Sequence, residues 1–329
     1  MHEIDNKDIR ILNVVCDNGR LSYFEIGKLT RISKDMVRER LRRLEIEKVI
    51  LSYMPLVDYS KLGYELFHVF IKFGALVKKR DTFIDRLKKN GYTVAVTRVI
   101  GEYDYELQIL AKDTLQLYST LNNLLLSVKR NISRINVVNG LSFYLYSMQI
   151  GKFDKNFVLP KKRSLYRAGH HADHNPRIDQ IDLNLLKRLS INARESFVSL
   201  AQALKTTPEN IRYHLKKIID SKIIISFHAR TNKHALGLNT YIFLLDIIGG
   251  LMSKDLSFLK EKKNIFYIRN CAGQWNLIIN FYAENNPELA ETLETIRDHF
   301  KSKLNTFELL ILLDRHKFIP IPHGLKLKD

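Results

Sequence analysis

The sequence predicts an α+β protein made of two consecutive copies of one unit. The first observation is a repeat, because Ile4-Asp5 returns 174 residues later as Ile178-Asp179. The second is that each copy opens with short helical periods and then alternates between strand-like and helical periods. The third is length, because 329 residues suffice for several domains of about 60 to 100 residues each.

The repeat continues through the first 50 residues or so of each copy, with apolar residues aligned on apolar residues. Pairs that match at the offset of 174 are Leu12 with Leu186, Arg20 with Arg194, Ser22 with Ser196, Arg38 with Arg212 and Leu41 with Leu215. Gly101 and Gly273 correspond at an offset of 172, so the second copy has lost a net two residues before that point.

The composition indicates a protein that folds and carries excess positive charge. Lys and Arg number 53 against 35 Asp and Glu, which gives a formal charge of +18, and apolar residues make up 45%. Such an excess favours a polyanionic partner, either nucleic acid or an anionic membrane. No apolar stretch reaches the roughly 18 to 20 residues of a spanning helix, and the first residues lack the order of a signal peptide. We therefore expect a soluble cytoplasmic protein.

Three short helices are predicted at the start of the first copy. Ile9 and Leu12 recur at helical spacing, and Gly19 follows as a stop signal. Ser22 and Ser33 have the chemistry to cap the second and third helices. In this arrangement the second and third helices form a helix-turn-helix.

A short β-branched run follows the third helix of each copy, at residues 48–57 and 222–231. We interpret each run as the strand of a wing, so each head is predicted to be a winged helix-turn-helix. In the second copy Thr207 caps the third helix and Pro208 takes its favoured first position.

Basic residues lie along one stripe of the third helix of each copy, where they can meet phosphates and base edges. The third helix of such a head enters the major groove, so double-stranded DNA is the predicted partner. The predicted DNA-binding residues are Arg31, Lys34, Asp35, Arg38 and Arg42 in the first copy and Lys205, Glu209, Arg212 and Lys216 in the second. A solvated, solubilising face is the other interpretation, because acidic residues dilute the charge.

The body of each copy alternates in the order βαββαβ, which predicts a ferredoxin-like sandwich. In the first copy the predicted strands and helices are 65–74, 80–90, 92–100, 105–111, 113–130 and 132–146. Turns at residues 101–104 and 273–276 join the two middle strands.

Residues 151–177 are polar and basic, contain two prolines and show no apolar period, so they are predicted to be a linker. The predicted domains are 1–60 and 178–235 for the two heads, and 61–150 and 236–329 for the two bodies. Cys16 and Cys271 lie far apart among apolar neighbours and are interpreted as reduced core thiols.

The first copy resembles the Lrp/AsnC (feast-famine) regulators. The resemblance rests on the Ile-Asp opening, the Asn-Gly-Arg-Leu-Ser step, the Val-Arg-x-Arg-Leu-x-Arg-Leu helix and the Gly-Glu-Tyr-Asp turn. It covers nearly the whole first copy and is weaker in the second. It implies a prokaryotic, nucleoid-associated regulator of transcription, of bacterial or archaeal type.

The resemblance further implies that the bodies are RAM-type domains, which pair through their sheets into dimers and higher oligomers. It implies that small effectors such as amino acids bind near the glycine turn. The effector-binding residues carried over are Gly101, Tyr103, Asp104, Gly273, Trp275 and Asn276. Asn276 stands where the first copy has an acid, which puts a symmetric pair of effector sites in question. A tight turn that needs a positive φ angle is the other interpretation of both glycines.

Two copies in one chain lead to the hypothesis of a tethered pseudo-dimer that addresses two DNA half-sites. As a flexible coil, a linker of about 27 residues spans on the order of 25 to 30 Å. Because the two recognition helices differ, the expected operator is an imperfect palindrome.

Two alternatives remain open from sequence alone. One is a sequence-neutral architectural protein that binds DNA mainly through charge. The other is an enzyme like the sirohaem decarboxylases, which needs a histidine-lined pocket. The histidines His68, His214, His228 and His234 are scattered, and His170, His171 and His174 lie in the linker. We therefore predict no catalytic residues, no metal and no cofactor.

Overall fold

The computed structural model describes residues 3–74, 80–146, 165–169 and 176–327, and its order of elements repeats once. The first half consists of α1 (Asn6–Asp17), α2 (Tyr23–Thr30), α3 (Lys34–Ile46), β1 (Ile50–Val57), β2 (Glu65–Phe73), α4 (Arg80–Lys89), β3 (Thr93–Ile100), β4 (Tyr105–Ala111), α5 (Thr114–Leu125) and β5 (Ile132–Tyr146). It is followed by β6 (Leu165–Gly169), α6 (Gln180–Ile191), α7 (Phe197–Leu204), α8 (Pro208–Asp220), β7 (Ile224–Thr231), β8 (Asn239–Ile247), α9 (Ser253–Glu261), β9 (Ile265–Ala272), β10 (Leu277–Ala283), α10 (Asn286–Phe300) and β11 (Leu304–Phe318). The mixed helix-and-strand class is confirmed.

The helices of both heads begin at the residues that the sequence indicates. The side chains of Ser22, Ser33 and Thr207 each accept a hydrogen bond from the backbone N–H three residues further on. Pro208 occupies the first turn of α8, where no intrahelical N–H is needed. Each such cap stabilises a helix by about 1 kcal/mol. Ser and Thr are therefore preferred at these positions, and that preference makes the caps predictable from sequence.

The strands predicted after the third helices are present as β1 and β7, and they pair with each other. Each head contributes a single strand, so its backbone groups are satisfied by the strand of the other head and not by a hairpin of its own. Met54 lies opposite His228, its counterpart in the repeat. A pseudo-two-fold axis therefore passes through this pair and relates the two heads.

Two arginines that match in the repeat hold the heads together reciprocally. Nη1 of Arg20 donates a hydrogen bond to the carbonyl of Ala193. Nη1 of Arg194 donates to the carbonyls of Gly19 and Leu21, both at 2.9 Å. Each guanidinium also lies 5.1 Å from the centre of an aromatic ring of the other head. The same contact is therefore made twice, once in each direction.

One continuous apolar core runs through both heads. It contains Ile11 and Leu12 of α1 together with Leu185 and Leu186 of α6, all of them fully buried. The heads are thus fixed by direct packing, which corrects the hypothesis that a flexible tether sets their spacing.

The strands of the two bodies close into a ring of eight in the order β2, β4, β3, β11, β8, β10, β9 and β5, with β5 returning to β2. Within each half the strand order is that of a ferredoxin-like sheet. The last strand of each half also pairs with the other half, β5 with β9 and β11 with β3. The sheet pairing that the resemblance implies between chains thus occurs inside one chain.

Helices cover the outer face of the ring, and apolar side chains fill part of its interior. The outer clusters pack β2 to β4 against α4 and α5, and β8 to β10 against α9 and α10. The interior cluster consists of Phe70, Val99, Tyr103, Val138, Ile242, Leu244, Cys271, Trp275, Ile278 and Leu310. Cys16 and Cys271 are both buried and free, as the sequence indicates.

Part of the predicted linker is a strand. Residues 165–169 form β6, which pairs with the end of β5. Residues 147–164 and 170–175, including His170, His171 and His174, lie outside the described residues. Among the helices that the structure describes, none combines the length and apolar character that crossing a membrane requires.

The reciprocal arginine contact yields a first prediction. Arg194→Met keeps the length of the side chain but removes two charge-assisted hydrogen bonds, so it should lower the free energy of unfolding by about 2 to 3 kcal/mol. Urea denaturation followed by circular dichroism measures this change. Lys216→Met, at an exposed position of the same head, is the control and should change it by less than about 0.5 kcal/mol. Equal effects of the two substitutions would show that the hydrogen bonds of Arg194 to the first head do not stabilise the protein.

Candidate nucleic-acid interface

The structure places every predicted DNA-binding residue on the surface, in two groups around α3 and α8. The exposed residues are Arg31, Lys34, Asp35, Arg38, Arg42, Lys205, Glu209, Arg212 and Lys216. Arg31 and Lys205 occupy equivalent positions before the two helices, both with positive φ angles, of 59° and 54°. The two groups are therefore presented in the same local geometry.

The opposite faces of α3 and α8 are buried and fix which way the basic stripes point. The inward-facing residues are Val37, Leu41 and Leu44 in α3 and Ile211, Leu215 and Ile218 in α8. Within the second stripe Arg212 lies 3.7 Å from Glu209, and because both are largely exposed this pair contributes little stability. Both side chains can therefore leave this contact at little cost in stability.

Lys217, the third basic residue of α8, has a structural role. Its Nζ lies 3.2 Å from Asp179 and also contacts the buried Asp182. In the first head Arg43 makes the equivalent contact to Asp8. These ion pairs fasten the third helix to the start of the first helix in each head.

The same acidic pair forms the one group in the described residues with metal-ligand geometry. Asp179, Asp182 and His214 offer ligand atoms within 4.8 Å of one another. However, His214 Nδ1 lies 2.7 Å from Asp182, and the ammonium of Lys217 contacts both carboxylates. In the first head Arg40 replaces the histidine. The group is therefore an ion-pair cluster that caps the first helix of the head. The same role in both heads accounts for the aspartates that recur in the repeat.

The two glycine turns pack against the last strand of the opposite half. Gly101 has a φ angle of 137°, and a Cβ there would lie 2.8 Å from the carbonyl oxygen of Leu309. Gly273 has a φ angle of 139°, and a Cβ would lie 2.8 Å from the side chain of Val138. Both positions thus need glycine for structural reasons, independently of any ligand.

Asp104 and Asn276 make the same backbone contact. The carboxylate of Asp104 accepts from the N–H of Phe73 at 2.8 Å, and the amide oxygen of Asn276 accepts from the N–H of Ile247 at 2.9 Å. An amide oxygen serves as well as a carboxylate here. This shared role explains why the acid is absent from the second copy without loss of the turn.

Tyr103 and Trp275 are placed differently from the expectation. They are 0% and 2% exposed, at the centre of the ring, and the indole Nε1 donates to the Tyr103 hydroxyl at 3.5 Å. Both side chains are large aromatic rings, and their burial in the interior of the ring of strands is favourable. Their burial does not support contact with an effector that arrives from solvent.

A polar cluster inside the ring was missed by the sequence reasoning. Nδ1 of His68 lies 2.7 Å from Oε1 of Glu106, to which Gln108 also donates at 3.1 Å. Arg269 and Arg315 are the charged groups that act on this pair. The signal was present, because a titratable side chain, His68 or Glu106, interrupts the apolar run of each of the strands β2 and β4.

The surroundings of this cluster shift its titration. Burial, together with the charge of Arg269, lowers the pKa of His68 to about 4. Burial alone would raise the pKa of Glu106, but the hydrogen bond and charge from His68 and the charge of Arg315 bring it to about 2. At neutral pH the pair is therefore a neutral imidazole that donates to a carboxylate.

The other histidines do not join His68. His214 belongs to the second head, Nδ1 of His228 donates to the carbonyl of Cys16 at the head interface, and His234 is exposed. None of these three side chains therefore lies beside His68.

Comparison with known proteins agrees with the resemblance. Residues 4–45 match the AsnC-type helix-turn-helix domain. An HTH-type transcriptional regulator of Pyrococcus furiosus is 34% identical over 102 residues, which cover 31% of this chain and 68% of the relative. The HTH-type transcriptional regulator FL11 of Pyrococcus horikoshii is 30% identical over 122 residues, or 37% of this chain and 78% of the relative.

A solved structure shares the architecture of the whole chain. The siroheme decarboxylase NirDL superposes with a TM-score of 0.61 over 97% of this chain and 94% of its own, at 10% sequence identity. At that identity the likeness concerns the fold alone.

The exposed helix-turn-helix surfaces and these relatives define a DNA-binding transcriptional regulator. The chain belongs to the Lrp/AsnC family.

The buried His68 yields a second prediction. Because its pKa is lower in the folded protein than its ordinary 6.5, the unfolded chain binds the proton first and stability falls as pH drops from about 6.5 towards 4. Between about pH 7.5 and 5 this group should account for roughly 1 to 2 kcal/mol of lost stability. Urea titrations at several pH values should show a flatter dependence for His68→Gln than for wild type. Exposed His234→Gln is the control and should leave the pH profile unchanged.

Proposed function

We propose that one chain binds DNA sequence-specifically through both heads at once and regulates transcription from two adjacent half-sites. The observation that carries this proposal is the pairing of β1 with β7 about a pseudo-two-fold axis, which holds two exposed basic helices in one body. Two heads related in this way match two inverted half-sites of a duplex. The division into two heads and two bodies, with the domain limits given above, is part of the proposal.

The two recognition helices differ in the residues that would reach base edges. Helix α3 begins with Lys34 and Asp35, whereas α8 begins with Pro208 and Glu209. N-terminal residues of such a helix lie nearest the bases, and Arg and Lys elsewhere hold phosphates. The two half-sites should therefore differ in sequence.

Small-molecule modulation and higher oligomers remain part of the proposal. The exposed turn residues Gly101 and Gly273, with Asp104 and Asn276 beside them, are the candidates for effector contact. Exposed apolar side chains on the last strands, such as Ile135 and Ile311, provide a surface through which chains could associate.

Substitution of one arginine in each stripe yields a third prediction. Arg38→Ala should weaken binding of the operator by about 1 to 3 kcal/mol, and Arg212→Ala should do so with a different positional preference. Fluorescence anisotropy with specific and random duplexes separates base readout from phosphate contact. Arg297→Ala, at an exposed position of α10, is the control. If it weakens binding as much as the head variants do, the proposed interface is wrong.

Selection from random duplexes yields a fourth prediction. The enriched sequences should contain an imperfect inverted repeat, with half-sites about one helical turn or a multiple apart, and a single chain should protect both. Affinity should also fall with salt, with a slope of about 0.9 per neutralised phosphate. Strong binding without an enriched motif would instead support a sequence-neutral architectural protein. A footprint over one isolated half-site would exclude simultaneous binding by both heads.

A further inference from the structure

A small cavity lies where the heads meet the ring of strands. Its walls come from the 3₁₀ helix Tyr59–Leu62, the start of β2, residues 140–143 of β5, Gly169 at the end of β6, and Arg269 of β9. Its volume is about 30 Å³. Since one water needs roughly 10 to 15 Å³ of such space, the cavity has room for about two waters, which is close to the size of one carboxylate group.

Arg269 brings a buried guanidinium to the lining of this cavity. The side chain is 2% exposed, and its Nη1 is buried without a hydrogen-bond partner in the part of the chain that the structure describes. Burial lowers the pKa of Arg269 to about 10, so the guanidinium stays charged at neutral pH. Its position 4.6 Å from the ring centre of Tyr267 offsets only part of the cost of burial.

Glu106, the acid that acts on Arg269 within the ring, makes no hydrogen bond to it. Oε1 of Glu106 accepts hydrogen bonds from His68 and Gln108. Oε2 of Glu106 is buried without a partner in the described residues, so it does not bond to Arg269 either. A buried, unpaired donor costs on the order of 1 to 3 kcal/mol, and more when it is charged. Such a cost is typical of a site whose partner is a ligand.

Comparison of the two halves of the chain shows that two residues of this cavity, Arg269 and Gly140, have different counterparts in the other half. Arg269 lies opposite Phe143, and the equivalent position of the other half, opposite Arg315, is Thr97. Gly140 lies opposite Leu66 in the sheet, and in the other half Leu312 takes the equivalent place opposite Thr240.

Gly140 leaves the space that Arg269 faces. A Cβ at this glycine would lie 2.9 Å from the carbonyl oxygen of Leu66 and 3.1 Å from Cδ of Arg269. The guanidinium of Arg269 and the space left by Gly140 therefore occur in one half of the chain only. In the other half, Thr97 replaces Arg269 and Leu312 replaces Gly140.

We propose that this cavity binds the carboxylate group of a small organic acid. Arg269 is its charge partner, through Nη1. Because the cavity offers only about 30 Å³, the ligand is an acid about as small as formate or acetate.

The rim of the cavity selects the charge of the ligand. Asp58 and Glu65 belong to the lining, and Asp58 already accepts bonds from the N–H and hydroxyl of Ser60 at 3.1 and 2.6 Å. One guanidinium between two carboxylates favours a monoanion over a phosphate dianion, because like charges at the rim repel the second negative charge.

Isothermal titration of the full chain with acetate, near pH 7 and without DNA, tests the site. Wild type should bind acetate, whereas acetamide, with a similar shape but no charge, and sulfate, a dianion, should bind at least about tenfold more weakly, a difference of about 1.4 kcal/mol. Arg269→Thr, which copies the other half of the chain, should lower the affinity for acetate at least tenfold. Arg297→Gln should bind like wild type.

A second variant covers the case in which Arg269→Thr does not fold. Gly140→Ala keeps the charge and puts a methyl group into the cavity, so it should also weaken acetate binding at least tenfold. No binding by wild type at about 50 mM acetate, equal binding of acetamide, or unchanged affinity in both variants would overturn the proposal. Because no DNA is present, failure here is distinct from failure of the proposed DNA-binding function.

Discussion

The antiparallel pairing of β1 with β7 is the contact on which the arrangement of this protein depends. Each head offers one strand, and neither strand has another partner among the strands that the structure describes. Pairing satisfies their backbone groups, places the pseudo-two-fold axis at Met54 and His228, and brings Arg20 and Arg194 within reach of the opposite head. The common core of the heads and the relative placement of α3 and α8 follow from this one register.

Charge buried inside the ring is the second constraint. Apolar packing around Tyr103 and Trp275 fills one part of the interior, and His68, Glu106, Arg269 and Arg315 occupy another. Replacing such groups with apolar residues is often neutral or stabilising, so a stability argument does not account for them. Their retention in strands that are otherwise apolar is consistent with a chemical role.

How much was predictable from sequence depended on the range of the interaction. The head helices and their caps were predictable, because Ser22, Ser33 and Thr207 act on backbone groups only three residues away. The βαββαβ order was also predictable from periodicity. The pairing of β1 with β7 was not, since strand partners in different halves leave no local pattern. Tyr103 was assigned to an effector site because of its position in the turn, but its ring is buried in the interior.

Closure of the eight strands into one ring leaves none of them an open edge. A regulator that assembles from separate subunits loses its second head when it is diluted, whereas this chain carries both heads at any concentration. Its response to DNA should then be set by affinity alone, without a dimerisation threshold. The two halves are also inherited together, so each could acquire residues such as Arg269 or Leu312 without first having to preserve a symmetric partner.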